Sequence, residues 1–84
     1  MSTEEIVAIL AKENPRADPG KIRMYADCFV TYQEATRNIE ANGAIVIHPR
    51  TGAPIENPYL KVRTSAQLVL RKLVLKSGKL WELP

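Results

Sequence analysis

Two dipeptides, in which an aspartate or an asparagine precedes a proline, constrain most strongly where the helices of this chain begin. Asp18-Pro19 and Asn57-Pro58 each place a capping side chain directly before a proline suited to the first helical position. An apolar stripe at three- and four-residue steps follows each pair, and the stripes are followed by Gly43 and Gly78. The sequence therefore predicts two long amphipathic helices, each running from its proline to its glycine.

The two stripes predict the faces that these helices bury. The first contains Ile22, Tyr25, Ala26, Phe29, Tyr32, Thr36 and Ile39. The second contains Tyr59, Val62, Ala66, Val69, Leu70 and Leu73. Leu68 and Leu75 are left over on another face of the second helix. Since apolar residues on two faces usually need two neighbours, we expect the other long helix to cover one face and another subunit the other.

Shorter elements are expected around the long helices. Ser2 or Thr3 can cap a helix over residues 3–13, and residues 14–20 form a turn-rich connector. Between the long helices, the β-branched run 44–48, a turn at 49–52 and residues 53–56 are consistent with either a small β-hairpin or an ordered extended loop.

The expected fold is mainly α: a short N-terminal helix, then two long helices packed as an antiparallel hairpin and joined by a short β-hairpin or extended loop. The 84 residues suffice for one domain. We divide it into an N-terminal helix and connector (1–17), a helical hairpin core (18–78) and a C-terminal tail (79–84).

Self-association is the expected source of extra stability. Cys28 and His48 are each single, so one chain can form neither a disulfide nor a Cys/His metal site. A domain this small otherwise gains stability by forming oligomers. The residues predicted to serve packing and oligomer contacts are Tyr25, Phe29, Tyr32, Leu68 and Leu75.

Secretion and catalysis are both unexpected. Glu4 and Glu5 stand where a signal peptide carries cations, and no apolar run approaches the length of a membrane span, which indicates a soluble protein of a reducing compartment. A single Cys28 and a single His48 are a thin supply for nucleophilic catalysis, and the dispersed glycines form no phosphate-binding loop. We expect neither enzyme activity nor a cofactor.

Positive charge collects toward one end of the chain. Residues 1–57 hold six Lys/Arg and eight Asp/Glu, whereas residues 58–84 hold six Lys/Arg and one acid, Glu82. On a continuous helix four of these cations share one side, a strip able to neutralise several phosphates. The alternative is that they only solvate the helix and favour its negative end. The candidate DNA contacts are Lys61, Arg63, Arg71, Lys72, Lys76 and Lys79.

The C-terminal tail allows two interpretations. An aromatic residue near a chain end either holds the tail onto its own domain or docks into a partner. In a second hypothesis the chain is an oligomeric protein-protein interaction or regulatory module that never binds DNA. The docking residues would then be Leu80, Trp81 and Leu83.

Three segments resemble the phage terminase small subunit family of tailed phages and prophages. They are Asn42-Gly43 before an apolar strand, the stretch HPRTGAPIENPYL from His48 to Leu60, and the basic amphipathic helix after it. The similarity runs from about residue 18 to residue 78. Its sharpest element is NPYLK, residues 57–61, followed by apolar residues at helical steps.

The resemblance implies a non-catalytic subunit of a DNA-packaging motor that forms homo-oligomeric rings. Such a subunit binds double-stranded phage DNA and presents it to a terminase large subunit carrying the ATPase and nuclease, in the cytoplasm of a bacterial host. It implies no membrane and no small-molecule substrate. No DNA-contact residues come with the resemblance, so the cationic set rests on the residues alone.

Overall fold

Four helices and two strands follow one another along residues 1–82, the part of the chain that the computed structural model describes. No helix in this part is both long and apolar enough to cross a membrane. The elements in chain order are α1 (Thr3–Glu13), α2 (Pro19–Asn42), β1 (Ile45–Ile47), β2 (Pro54–Glu56), α3 (Tyr59–Lys72) and α4 (Gly78–Glu82).

Local capping explains where α1 and α2 begin. Ser2 Oγ accepts a hydrogen bond from the Glu5 amide at 3.2 Å, and the Glu5 carboxylate accepts one from the Ser2 amide at 3.4 Å. This reciprocal pair satisfies two amides that the helix leaves free. Asp18 Oδ2 accepts from the Lys21 amide at 3.1 Å, with Pro19 at the first helical position of α2. Both predicted starts are confirmed.

Residues 44–56 form the hairpin rather than an extended loop. β1 and β2 pair antiparallel, with Val46 opposite Ile55, and the turn between them includes Gly52 at a φ of 70°. His48 Nδ1 accepts hydrogen bonds from the amides of Arg50 and Thr51 at 3.1 and 3.3 Å, which orders the tip. The predicted turn residues therefore close a two-stranded ribbon.

Asn57 is a buried polar junction where α2, the hairpin and α3 meet. Its side chain is 2% exposed. Oδ1 accepts from the Tyr59 amide at 3.0 Å, so Asn57 caps α3 as predicted, with Pro58 in helical geometry. Nδ2 donates to Asn38 Oδ1 at 3.0 Å and to the carbonyl of Gly43 at 2.9 Å. One amide group thus ties the start of α3 to the end of α2.

The predicted end of α3 is wrong. The helix stops at Lys72, because Leu73 turns into extended backbone with ψ of 102°, and Gly78 begins α4 instead of ending α3. The side chain of Asn14 holds the diverted chain: Nδ2 donates to the carbonyl of Lys76 at 2.7 Å, and Oδ1 accepts from the Lys76 amide at 2.8 Å. A long-range contact to the end of α1 accompanies the break.

We expect Asn14→Ala to loosen the segment between α3 and α4. Both Lys76 backbone groups lose their partner, which should cost about 1–2 kcal/mol. Hydrogen exchange at the Lys76 amide should accelerate, whereas Asn42→Ala, which removes only a bond within α2, should leave it unchanged. Unaltered exchange in Asn14→Ala would show that the Asn14 bonds do not hold this segment.

The core lies at one end of α2, where α1, α3 and α4 converge on it. The side chains buried there are Ile6, Leu10, Ile22, Tyr25, Ala26, Phe29, Leu70 and Leu80. Farther along α2, Ala35 is fully buried, and on α3 Ala66 is nearly so. Burial at Ile22, Tyr25, Ala26 and Phe29 follows the predicted stripe of α2.

The contact between α2 and α3 is the most extensive in the chain. Ala66 and Leu70 are buried as the stripe of α3 predicts, but Tyr59 and Val62 at its start remain exposed. The antiparallel direction expected for the two helices stays a prediction, as does the division into domain, core and tail.

Candidate nucleic-acid interface

The exposed face of α3 carries three of the six predicted DNA contacts. Ala66 and Leu70 point inward, so residues on the opposite side of this helix meet solvent. Lys61, Arg71 and Lys72 are all exposed there, and α3 contains no acidic residue. We call these three residues the α3 cation face.

The α3 cation face spans most of the helix. Lys61 and Lys72 are eleven residues apart, which is close to three turns, so they project on one side about 16 Å apart along the axis. Leu68, whose side chain is 51% exposed, lies between them. The face therefore combines separated positive charges with one aliphatic residue.

Arg63 does not belong to this face. It is half-buried, and its position along α3 turns it toward the side that contacts α2. A guanidinium there has less freedom to reach a phosphate than the exposed cations. Its role as a DNA contact stays a prediction that the geometry does not favour.

Lys76 and Lys79 do not continue the strip expected along one helix. Because α3 ends at Lys72, these two residues follow a different path, in the diverted segment and in α4. The amide of Lys79 donates to Glu13 Oε1 at 3.0 Å, beside the contact between Lys76 and Asn14. The expected continuous strip is thus divided into the α3 cation face and a second group near the end of α1.

Arg16 and Lys21 join this second group, which the sequence did not indicate. Both line an open groove at the connector together with Lys76. The acids in the groove already have backbone partners, since Glu13 accepts from the Lys79 amide and Asp18 from the Lys21 amide. More than fifty residues separate Lys76 from Lys21, and no local pattern links them.

Arg23 is the cation with an ionic partner within residues 1–82. Its guanidinium lies 2.8 Å from the Glu4 carboxylate, and the hydrogen bond and charge of Glu4 raise the pKa of Arg23. Both side chains are mostly exposed, so the pair adds little stability. It does, however, neutralise one cation of α2, whereas the α3 cation face has no such partner among the described residues.

Most of the residues predicted to serve packing and oligomer contacts pack within the chain's own core. Tyr25 and Phe29 are buried in the core, and Tyr32 and Leu75 pack against it. Leu68 alone of the five remains largely exposed. A role in oligomer contacts stays a prediction for all five residues. Leu68 has more exposed surface for such a contact than the other four.

Leu80 and Trp81 of α4 pack onto the chain's own domain, and their role in partner docking stays a prediction. Leu80 is 1% exposed. The Trp81 ring meets Phe29 edge to face at 4.7 Å, and its Nε1–H donates to Tyr25 Oη at 3.0 Å. These contacts give Trp81 a packing role within the chain, although 45% of the residue remains exposed. Leu83, the third predicted docking residue, lies outside the described residues.

Cys28 is half-buried on α2, and His48 lies at the hairpin turn. Burial and then the nearby Asp27 raise the pKa of the Cys28 thiol, which disfavours the nucleophilic thiolate. His48 uses Nδ1 to order the hairpin tip. Among residues 1–82, no three His, Cys, Asp or Glu side chains come together as a metal site.

Comparison with models of known protein families gives a match over most of the chain. A family model described as phage terminase, small subunit, matches residues 4–77. No match arises among curated proteins or among solved structures. The matched range covers α1 from its second residue, α2, the hairpin, α3 and the diverted segment, and therefore includes the whole α3 cation face.

Proposed function

Because the chain belongs to the phage terminase small subunit family, we propose that it binds viral DNA as a homo-oligomer and presents that DNA to the large ATPase and nuclease subunit. The match over residues 4–77 carries this proposal. The family indicates a role in phage DNA packaging, and its small subunits are generally the non-catalytic partners.

The α3 cation face supports the DNA-binding part of the proposal. Lys61, Arg71 and Lys72 are exposed and free of neighbouring acids on their helix, which suits contact with backbone phosphates. Lysine and arginine side chains are common donors to phosphate oxygens in protein–DNA complexes. We therefore propose contacts that position DNA by charge and shape, with Lys76 and Lys79 as a separate phosphate-binding group.

The dimensions of the chain support the oligomeric part. Its radius of gyration is 15.2 Å, whereas a compact domain of this length has about 12 Å. Its accessible surface is 5946 Å², compared with about 5,000 Å² for a compact monomer of this mass. An elongated chain with surplus exposed surface gains stability by packing against copies of itself.

Sedimentation of the protein with and without a labelled DNA duplex tests the proposal. We expect an oligomer in both samples and a complex with DNA whose affinity falls by at least roughly 40-fold between about 50 and 200 mM salt, the loss expected if only the three cations of one α3 cation face contact phosphates. A complex insensitive to salt would contradict contacts to phosphates. An oligomer that binds no DNA would favour the protein-protein interaction module.

A further inference from the structure

The hairpin presents an unpartnered apolar face. Ile45 and Ile47 lie on the same side of β1 and are 62% and 65% exposed, whereas Val46 on the other side is half-buried. The hairpin has no substantial contact with any described helix. A two-stranded ribbon is marginal in water on its own, so a surface that covers these isoleucines would stabilise it.

An open apolar groove of about 420 Å³ lies between α2 and α3. Its wall on α2 includes Cys28, and its wall on α3 includes Val62 and Val69 at a seven-residue spacing. The complete lining is Cys28, Thr31, Lys61, Val62, Ser65, Ala66 and Val69. Small side chains at its floor leave room for aliphatic groups from outside.

The hairpin face and the groove match in spacing. Side chains two residues apart on a strand project about 6.6 Å from each other, and successive turns of a helix rise about 5.4 Å. Ile45 and Ile47 can therefore enter neighbouring gaps between the turns of α3 that carry Val62, Ala66 and Val69.

The two surfaces also match in charge. Arg50 is exposed at the hairpin tip, and the one acid of the hairpin, Glu56, lies at its other end, opposite Ile45. On α2, Asp27 and Glu34 are exposed one turn to either side of Thr31, which lines the groove. A hairpin in this groove would bring Arg50 toward acids that have no ion pair among the described residues.

We propose that the isoleucine face of the hairpin, Ile45 and Ile47, docks into the α2–α3 groove of a second copy of this chain. This inference rests on the proposed homo-oligomer and names the surfaces that build it. A second copy is the occupant because the elongated chain has surplus surface and itself carries both complementary parts. Hairpin and groove are different surfaces, so the contact is head-to-tail and can close into a ring.

Cross-linking tests the contact directly, because Cys28, the chain's single cysteine, lies in the groove. In Ile47→Cys, a short thiol cross-linker should join residue 47 of one copy to Cys28 of the next. We expect a ladder of cross-linked dimers, trimers and larger species. The reaction is run at about pH 8.5, because a larger fraction of the Cys28 thiol is ionised there than at neutral pH. Val74→Cys is the matched control, since Val74 is 82% exposed but lies outside both surfaces.

The outcomes separate this inference from the proposed function. Cross-linking no greater than in Val74→Cys, in a protein that still sediments as an oligomer, would overturn the hairpin-groove contact and leave the oligomer intact. Cross-linking that persists in Ile47→Cys/Cys28→Ser would indicate hairpins meeting each other and would also overturn it. A monomer at every concentration would overturn both the contact and the homo-oligomer.

A charge substitution provides a second measurement that requires no cross-linker. Ile47→Asp should raise the dissociation constant of the oligomer by roughly 30-fold or more, which is the effect expected for a residue at the centre of an interface. Val74→Asp adds the same charge outside the contact and should change dissociation little. Equal effects of the two variants would contradict the proposed interface.

Discussion

Asn57→Ala is expected to cost about 3 kcal/mol of folding free energy and to lower the unfolding midpoint by roughly 12–24 °C. The substitution removes the cap of α3 and leaves the carbonyl of Gly43 and the amide oxygen of Asn38 without their buried donor. Thermal unfolding followed by circular dichroism measures the effect. Protein concentration must be constant across variants, because oligomer formation also shifts the midpoint.

Two variants separate the roles of the Asn57 side chain. Asn57→Asp keeps an oxygen that can cap α3 but loses both donated hydrogen bonds, so we expect it to be destabilised as well. Asn42→Ala, an exposed asparagine near the end of α2, should stay within about 0.5 kcal/mol of the unsubstituted protein. If Asn57→Ala were equally mild, the buried junction would not be what holds α2 to α3.

Replacing Lys61, Arg71 and Lys72 together by glutamine is expected to weaken DNA binding by about 10²–10³-fold near 0.1 M salt. Each phosphate contact contributes about 0.9 to the slope of log affinity against log salt. The triple variant should therefore lower the magnitude of that slope by about 2.7 for each subunit that contacts DNA. Fluorescence anisotropy at several salt concentrations measures both quantities.

A charge-matched triple variant tells local contact from overall charge. Lys12, Arg23 and Arg37 lie on α1 and α2, outside the α3 cation face, and glutamine at all three removes the same charge. We expect a smaller loss of affinity and a nearly unchanged slope. Equal slopes in the two triple variants would mean that α3 is not the surface that contacts phosphates.

Local signals were enough to predict the starts of α1, α2 and α3, whereas they left a hairpin and an extended loop as alternatives for residues 44–56. The side chains of Ser2, Asp18 and Asn57 each accept a hydrogen bond from an amide within three residues. The capping residue and the helix start that it stabilises therefore lie in the same short segment of sequence. Apolar periodicity likewise predicted the α2 residues buried in the core, because the 3.6-residue repeat selects a face whatever covers it, but it did not predict the burial of Ala35.

The candidate site was less predictable, because the path of the chain after α3 depends on remote residues. Asn14 binds both backbone groups of Lys76, sixty-two residues away, and Trp81 reaches Tyr25 across fifty-six. Helical periodicity continues past Lys72 in the sequence, so it could not reveal the break. The break is what separates Lys76 and Lys79 from the α3 cation face.

The sequence by itself determined where α1, α2 and α3 begin, which face of α2 is buried in the core and that α3 is basic and free of acids. These properties depend on residues within one or two turns of each other. Tertiary structure alone decided where α3 ends, that the tail covers its own core and that Asn57 joins three elements. Each of these depends on hydrogen bonds or ring contacts between distant residues, whose partners become neighbours when the chain folds.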